Sequence, residues 1–242
     1  MHPLLPSGRP DYTRVVPCRC KATESEEERI SRLRRDTGAL QLKLLRDMTF
    51  RNFDHKRVNL TRRERESLER AYRTAREFAE NPEGWIVLQG VNGCGKTHLA
   101  AAIGNYQLHK GNLVFFQIVP DLLDHLRATF APSSDIRYDD LFERIRSAPL
   151  LILDDFGEQA STPWAQEKLY QVINYRYNER LPTVITTCLP LEDMETRMSS
   201  RLADVSLSSN VNIDVPDYRS DVTHASSANR KSPTRGGSRR SW

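Results

Sequence analysis

The sequence predicts an α/β protein, an open parallel sheet covered by helices on both faces, and three observations carry that prediction. First, the apolar run Gly84-Trp85-Ile86-Val87-Leu88-Gln89 leads directly into Gly90-Val91-Asn92-Gly93-Cys94-Gly95-Lys96-Thr97 and then into His98-Leu99-Ala100-Ala101. This reads as strand, glycine-rich turn and helix start, the setting in which G-x-x-x-x-G-K-[ST] cradles phosphate. Second, another apolar run, Pro149-Leu150-Leu151-Ile152-Leu153, ends in Asp154-Asp155. Third, strand-like and helix-like segments alternate along the chain, as the crossovers of a parallel sheet require.

In the glycine-rich stretch the backbone can curl so that the amides from Gly90, Val91, Asn92, Gly93, Cys94 and Gly95 turn toward one anion. The helix that follows adds its positive N-terminal end, beginning near Lys96, Thr97 and His98. Lys96 then reaches the outer phosphates, and the Thr97 hydroxyl is placed to hold magnesium.

The chain has 242 residues, which suits one packed domain of roughly 150–200 residues with appendages. Hydrophobic residues make up 38% and charged residues 28%, a polar balance in which some of the chain is expected to lack a packed core. No apolar run reaches the length of a membrane span. The first residues contain Pro3, Pro6, Pro10 and Pro17 and no apolar core of a signal peptide, so a cytoplasmic location is expected. Cys18, Cys20, Cys94 and Cys188 show no disulfide framework, and reduced thiols are expected. Cys18 and Cys20 alone are half a zinc site at most, so zinc is not expected.

Taken in order, residues 1–23 read as irregular. From Thr23 to Met48 an acidic first turn and Arg29, Arg32, Arg34 and Arg35 suggest helices interrupted at Thr37-Gly38, either a solvated pair or a surface for a partner protein. Thr61 and Glu64 form a capping-box pattern opening a helix to Ala79, with Leu68, Ala71, Ala75 and Phe78 on one face. The helix after the glycine-rich turn runs to about Lys110. Leu113–Ile118 is the next strand, and Pro120 starts a helix that covers Leu122, Leu123 and Leu126. A break at Ala131-Pro132-Ser133-Ser134 precedes a short helix from Asp139 to Ser147. Pro163 opens a long helix through Tyr175, Pro182–Thr187 is a fourth strand, Leu191–Leu202 a helix, and Val211–Val215 a weak fifth strand. After Asp221 the chain has no acid, and Arg230, Lys231, Arg235, Arg239 and Arg240 form a basic tail, either a nucleic-acid contact or a solvated end.

The acids after the third strand have a positional logic. The carboxyl end of a parallel strand lies beside the phosphate turn, so Asp154 there can hold magnesium through water, and Asp155 can orient or deprotonate an attacking water. The alternative is an aspartate that simply opens a turn.

Beyond the phosphate turn, Leu151-Ile152-Leu153-Asp154-Asp155-Phe156-Gly157, Glu167–Tyr177 and Leu181-Pro182-Thr183-Val184-Ile185-Thr186-Thr187 resemble the DnaC/IstB family of AAA+ ATPases, from about Met48 to Arg219. The resemblance implies a P-loop AAA+ fold with a five-stranded parallel sheet between helical layers, a minimal C-terminal lid and an N-terminal helical arm. On this reading residues 1–47 form a partner-binding region, 48–220 the ATPase domain and 221–242 a disordered basic tail. The cofactors implied are ATP and Mg2+. Arg201 resembles an arginine finger acting on ATP of a neighbouring subunit, and Arg219 a sensor arginine reading the γ-phosphate of its own. The implied catalytic set is therefore Lys96, Asp155, Arg201 and Thr187, the last because Cys188 stands where the family usually has a sensor Asn.

The family loads replicative helicases onto single-stranded DNA or assists transposases, so a replicative helicase or a transposase, single-stranded DNA and ATP-dependent self-association are the expected partners. In the family the helices from Pro120 to Ser147 line the DNA strand. Phe130 and Tyr138 could there stack on bases and Arg127 and Arg137 meet phosphates, against the alternative that the aromatics are packed. A helicase loader is the leading expectation and a transposase helper the second. A small-molecule kinase and a nucleotide-gated binding module with little turnover are the others, the last made credible by Asp155 in place of Glu and by Cys188.

Overall fold

A computed structural model describes residues 38–129, 138–157 and 162–218. Five parallel strands, β1 (Trp85–Gly90), β2 (Val114–Ile118), β3 (Leu150–Asp154), β4 (Thr183–Thr187) and β5 (Ser208–Ile213), pair in the order β2-β3-β4-β1-β5. β1, β2 and β3 are largely apolar runs and β4 is buried throughout, because both faces of these strands are covered. Ile86, Leu88, Ile152 and Val184 face one core layer, and Trp85, Val87, Leu151, Leu153 and Ile185 the other.

The first layer is built from α1 (Lys43–Asp47), α2 (Arg62–Glu80) and α3 (Lys96–His109). The capping box at the start of α2 forms as the sequence predicts: Thr61 Oγ1 accepts from the Glu64 amide, and Glu64 Oε2 accepts from the Thr61 amide at 2.7 Å. The opposite layer holds α4 (Val119–Ala128), α5 (Tyr138–Arg146), α6 (Pro163–Asn178) and α7 (Thr196–Leu202). Thr162 caps α6 with its hydroxyl on the Ala165 amide, and Pro163 occupies the first turn, where no amide is needed.

Residues 38–47, counted with the N-terminal region in the sequence reading, lie against the sheet: Gly38 bridges to Phe116 at the β2 edge, and Leu40 is fully buried. Asn105, buried on α3, donates from Nδ2 to the carbonyls of Leu45 and Met48 at 2.8 Å each, pinning this strap beside the phosphate turn.

Two elements differ from their sequence expectation. The helix predicted over Leu191–Leu202 is a short 3-10 turn, Leu191–Asp193, followed by α7, because Met194 and Glu195 adopt extended backbone angles that tuck Met194 into the core. The fifth strand begins at Ser208 rather than Val211, since its pairing with β1 starts opposite Trp85 and runs through the polar Ser208-Ser209-Asn210 that no apolar pattern announces. Between α5, β3 and β4, the buried Arg176 donates to the carbonyls of Arg146, Ala148 and Pro182 and to Thr183 Oγ1, fastening the start of two strands. Burial pushes its pKa down to about 9, still high enough to keep it a cation at neutral pH. Among the described residues no helix is long and apolar enough to cross a membrane. Cys18, Cys20, the charged stretch before residue 38 for which the sequence predicts helices, Phe130, Arg137, Arg219 and the basic tail lie outside the described residues.

Candidate functional site

At the carboxyl end of β1 the chain makes the expected phosphate turn. Gly93 and Gly95 take φ of 73° and 108°, which a side chain rarely tolerates, and α3 starts directly afterwards with Lys96. The Gly93 position is also crowded, since a Cβ there would stand 1.7 Å from Asp217 Oδ1. Asp217 and Tyr218 fold back over the turn, with the Tyr218 amide donating to the Gly93 carbonyl at 3.1 Å. Arg57 holds this return by donating to the carbonyls of Pro216 and Asp217 and stacking over the Tyr218 ring.

The turn opens into a cleft of about 460 Å³. One wall is the strap, with Leu44, Leu45, Met48, Asn52 and Phe53; the floor is Lys96, Thr97, Asp154, Asp155, Thr186 and Cys188. Apolar wall and polar floor suit a ligand with a flat ring at one end and an anionic chain at the other.

The floor is a connected network. Thr97 Oγ1 donates to Asp154 Oδ1 at 3.0 Å, so the two oxygen donors named from sequence for magnesium are in contact. Thr186 Oγ1 donates to the same carboxylate oxygen at 2.7 Å and accepts from the Asp155 amide at 3.0 Å. Burial pushes the Asp154 carboxyl above its ordinary pKa, while the hydroxyls of Thr186 and Thr97 act the other way. Two hard oxygen donors beside a glycine cradle and a lysine fit a nucleotide with Mg2+, which Thr97 and Asp154 would hold. Asp155 has φ of 59°, a left-handed conformation that an aspartate tolerates better than most residues and that concentrates at functional turns.

Lys96 is 7% exposed, and its Nζ donates to the carbonyls of Gly90 at 2.7 Å and Val91 at 2.9 Å. Cys94 is buried under the turn, and Cys188 at the end of β4 lines the cleft and donates to Asn92 Oδ1 at 2.9 Å. His98 turns toward the strap: its Nε2 meets the Thr49 carbonyl at 3.0 Å and its ring meets the edge of Phe53. Burial lowers its pKa, which keeps the imidazole neutral.

Two catalytic candidates from sequence are not brought into this cleft. Thr187 is fully buried on the other face of β4, its hydroxyl 3.0 Å from the Leu189 amide, and Thr186 is the hydroxyl that reaches Asp154. Strand alternation could have found this, because Thr186 shares its face with Val184, which packs on the α3 side. Arg201 lies on α7, where Asn174 Oδ1 accepts from Nε and Nη2 at 3.1 and 2.7 Å and the guanidinium stacks over Tyr170. On the α4 and α5 side, Tyr138 stacks on Phe142 beneath Lys168, the packed arrangement for that ring, while Arg127 is exposed, paired with Asp124 and lying over Trp164.

Comparison with known proteins follows the same lines. The replicative helicase loader DnaC of Buchnera aphidicola (Schizaphis graminum) is 31% identical over 141 residues, 58% of this chain and 57% of that protein. The DnaC of Escherichia coli K12 is 29% identical over 133 residues, 54% of each chain. The chain therefore spans little more than half the length of these curated relatives. A crystal structure of the DnaC helicase loader superposes with a TM-score of 0.56 at 27% identity, covering 71% of this chain and 99% of that one. The family model described as IstB-like ATP binding protein matches residues 22–211. With its P-loop, its five-stranded parallel sheet and that match over most of its length, the chain belongs to the IstB-like ATP-binding proteins, the DnaC/IstB branch of the AAA+ fold.

Proposed function

We propose that this protein is an ATP-dependent helicase loader that acts in the cytoplasm during DNA replication, binding and hydrolysing ATP to deliver a ring helicase to single-stranded DNA. The observation that carries the nucleotide chemistry is the contact of Thr97 with Asp154 beside Lys96 at the end of a glycine cradle. That the DnaC relatives are replicative helicase loaders supports the choice of task. In this reading the turn amides and Lys96 bind the phosphates, the strap holds the base, and Thr97 and Asp154 hold Mg2+. The metal, when bound, neutralises charge on the phosphates. Thr186 keeps the Asp154 carboxylate aimed into the cleft and fixes the Asp155 backbone, so that Asp155 can orient the attacking water and take its proton.

Arg201 lines no part of the cleft of its own chain among the described residues, which suits a cation supplied to a neighbouring subunit. Turnover then depends on self-association, and Arg219 would read the γ-phosphate in the same subunit. A helper ATPase for a DNA transposase is the second reading, favoured by the IstB-like family match. The test is capture of a replicative helicase or a transposase by the purified protein with and without ATP. ATP-dependent capture of the helicase supports the first reading, capture of the transposase alone the second, and capture of neither overturns both. On the site itself, Lys96→Ala should abolish ATP binding, whereas Arg201→Ala should spare binding and stop turnover; equal loss of binding in both would rule out the two-subunit site.

A further inference from the structure

Cys94 and Cys188 are far apart in sequence but meet the same ammonium: Lys96 Nζ stands 4.0 Å from Cys94 Sγ and 3.3 Å from Cys188 Sγ. The two sulfurs therefore lie at most about 7 Å apart, and the turn has to move for them to reach the roughly 2.05 Å of a disulfide. Gln89 is level with Thr187 in the β1–β4 pair, so Cys188 is the next neighbour of Gly90, and a Cβ on Gly90 would stand 2.8 Å from Cys94 Sγ. That Cβ would also stand 2.6 Å from the Ile213 carbonyl, so Cys94 packs against Gly90 at the end of β1, while Cys188 follows directly on the neighbouring strand β4.

The two thiols differ in access. Cys188 is partly exposed in the cleft, while Cys94 is 3% exposed and its thiol pKa is pushed up by burial, against the pull of Lys96. An oxidant entering the cleft meets Cys188 first.

We propose that Cys94 and Cys188 form a reversible modification site in which a hydroperoxide closes a disulfide across the phosphate turn and shuts the cleft to nucleotide. The first step oxidises the Cys188 thiol to a sulfenic acid as the O–O bond breaks, with release of water when the oxidant is hydrogen peroxide. In the second, Cys94 sulfur attacks the Cys188 sulfur; its proton leaves with the sulfenic hydroxyl as a second water, and the S–S bond forms. Two thiols are thereby oxidised and one peroxide reduced. The bond ties the turn to the end of β4, withdraws the Cys188 donor from Asn92, and holds Lys96 against its own carbonyls, where it is unavailable to phosphate.

This inference rests on the ATP-site reading for its consequence, but the cross-link itself does not. The test uses the full chain with Cys18→Ser and Cys20→Ser, treated with one equivalent of hydrogen peroxide. Non-reducing peptide mapping reads the cross-link, and a fluorescent ATP analogue with Mg2+ reads binding. The expected result is a peptide joined through Cys94 and Cys188, at least a tenfold loss of analogue affinity, and recovery of that affinity on adding dithiothreitol. In Cys94→Ser and Cys188→Ser variants the affinity before and after peroxide should be the same. Oxidation of Cys188 to sulfinic acid without a joined peptide overturns the pair, and a joined peptide with unchanged affinity overturns its control of the cleft. A reduced protein that binds no analogue instead sinks the ATP-site reading, and the peptide map still decides whether the pair forms.

Discussion

Thr186 and Asp154, on neighbouring strands, share a 2.7 Å hydrogen bond, and through it the aspartate that faces Thr97 is tied to the backbone of Asp155. Replacing Thr186 by the near-isosteric Val removes the hydroxyl and leaves a buried carboxylate short of one donor. Hydrogen bonds to charged groups contribute about 1.5–3 kcal/mol. Thr186→Val should therefore lower stability by that order, and ATP turnover by roughly 10- to 100-fold through misplacement of the acids. Nucleotide binding should change much less than turnover. Steady-state ATPase rates beside equilibrium binding of an ATP analogue check this, and equal losses in the two would remove the positioning role.

At the phosphate turn, Gly93→Ala meets two penalties, a left-handed backbone and the Asp217 carboxylate. The backbone term alone is about 1–2 kcal/mol. The variant should melt several degrees lower and bind nucleotide more weakly. Asp217→Ala in the same chain should recover part of the loss, a coupling that a double-mutant cycle on thermal midpoints measures. Strict additivity would mean that Asp217 does not press on Gly93.

Arg176 is a buried cation that donates to three carbonyls and a threonine hydroxyl, with no carboxylate among these acceptors. Arg176→Met fills the space with apolar atoms but strands those acceptors, and a loss of about 3–5 kcal/mol is expected. Urea unfolding with an unchanged slope is the measurement. Arg176→Lys, with fewer donors on a single point, should fall between the two.

Asp204 accepts from the Tyr177 hydroxyl and the Ser206 amide, and these hydrogen bonds hold its carboxyl down at about 2 from an ordinary 3.8. A depressed carboxylate contributes its stability in full above the unfolded pKa and loses it as pH falls through the folded one. The thermal midpoint of Tyr177→Phe should therefore lie below that of the parent by a constant amount above about pH 5, with the gap closing toward pH 2. A gap that is constant down to pH 2 would exclude the linkage.

What could be read from sequence follows from how local each determinant is. The phosphate turn, the capping box at Thr61 and Glu64 and the acids ending β3 are each set by adjacent residues, and all are found where the spacing puts them. The family resemblance points to Thr187 because it adjoins Cys188 at the sensor position, but Thr186 ends the same run, and only the pairing of β4 between β3 and β1 decides which hydroxyl meets Asp154. The polar start of β5 and the return of Asp217 onto Gly93 depend on partners more than a hundred residues away. Nothing local in the sequence marks out Asn105, because its role in holding Leu45 and Met48 exists only once the strap has been laid on α3.

The two carbonyls already occupied by Lys96 make ligand recognition an exchange rather than an addition. An incoming phosphate has to draw the ammonium off Gly90 and Val91, so a nucleotide too short to reach Nζ leaves that latch fastened. Gly90 is also the last residue of β1 and is level with Ile213 at the far edge of the sheet. The carbonyl that Lys96 holds thus belongs to the residue at which the phosphate turn and the β1–β5 pair meet.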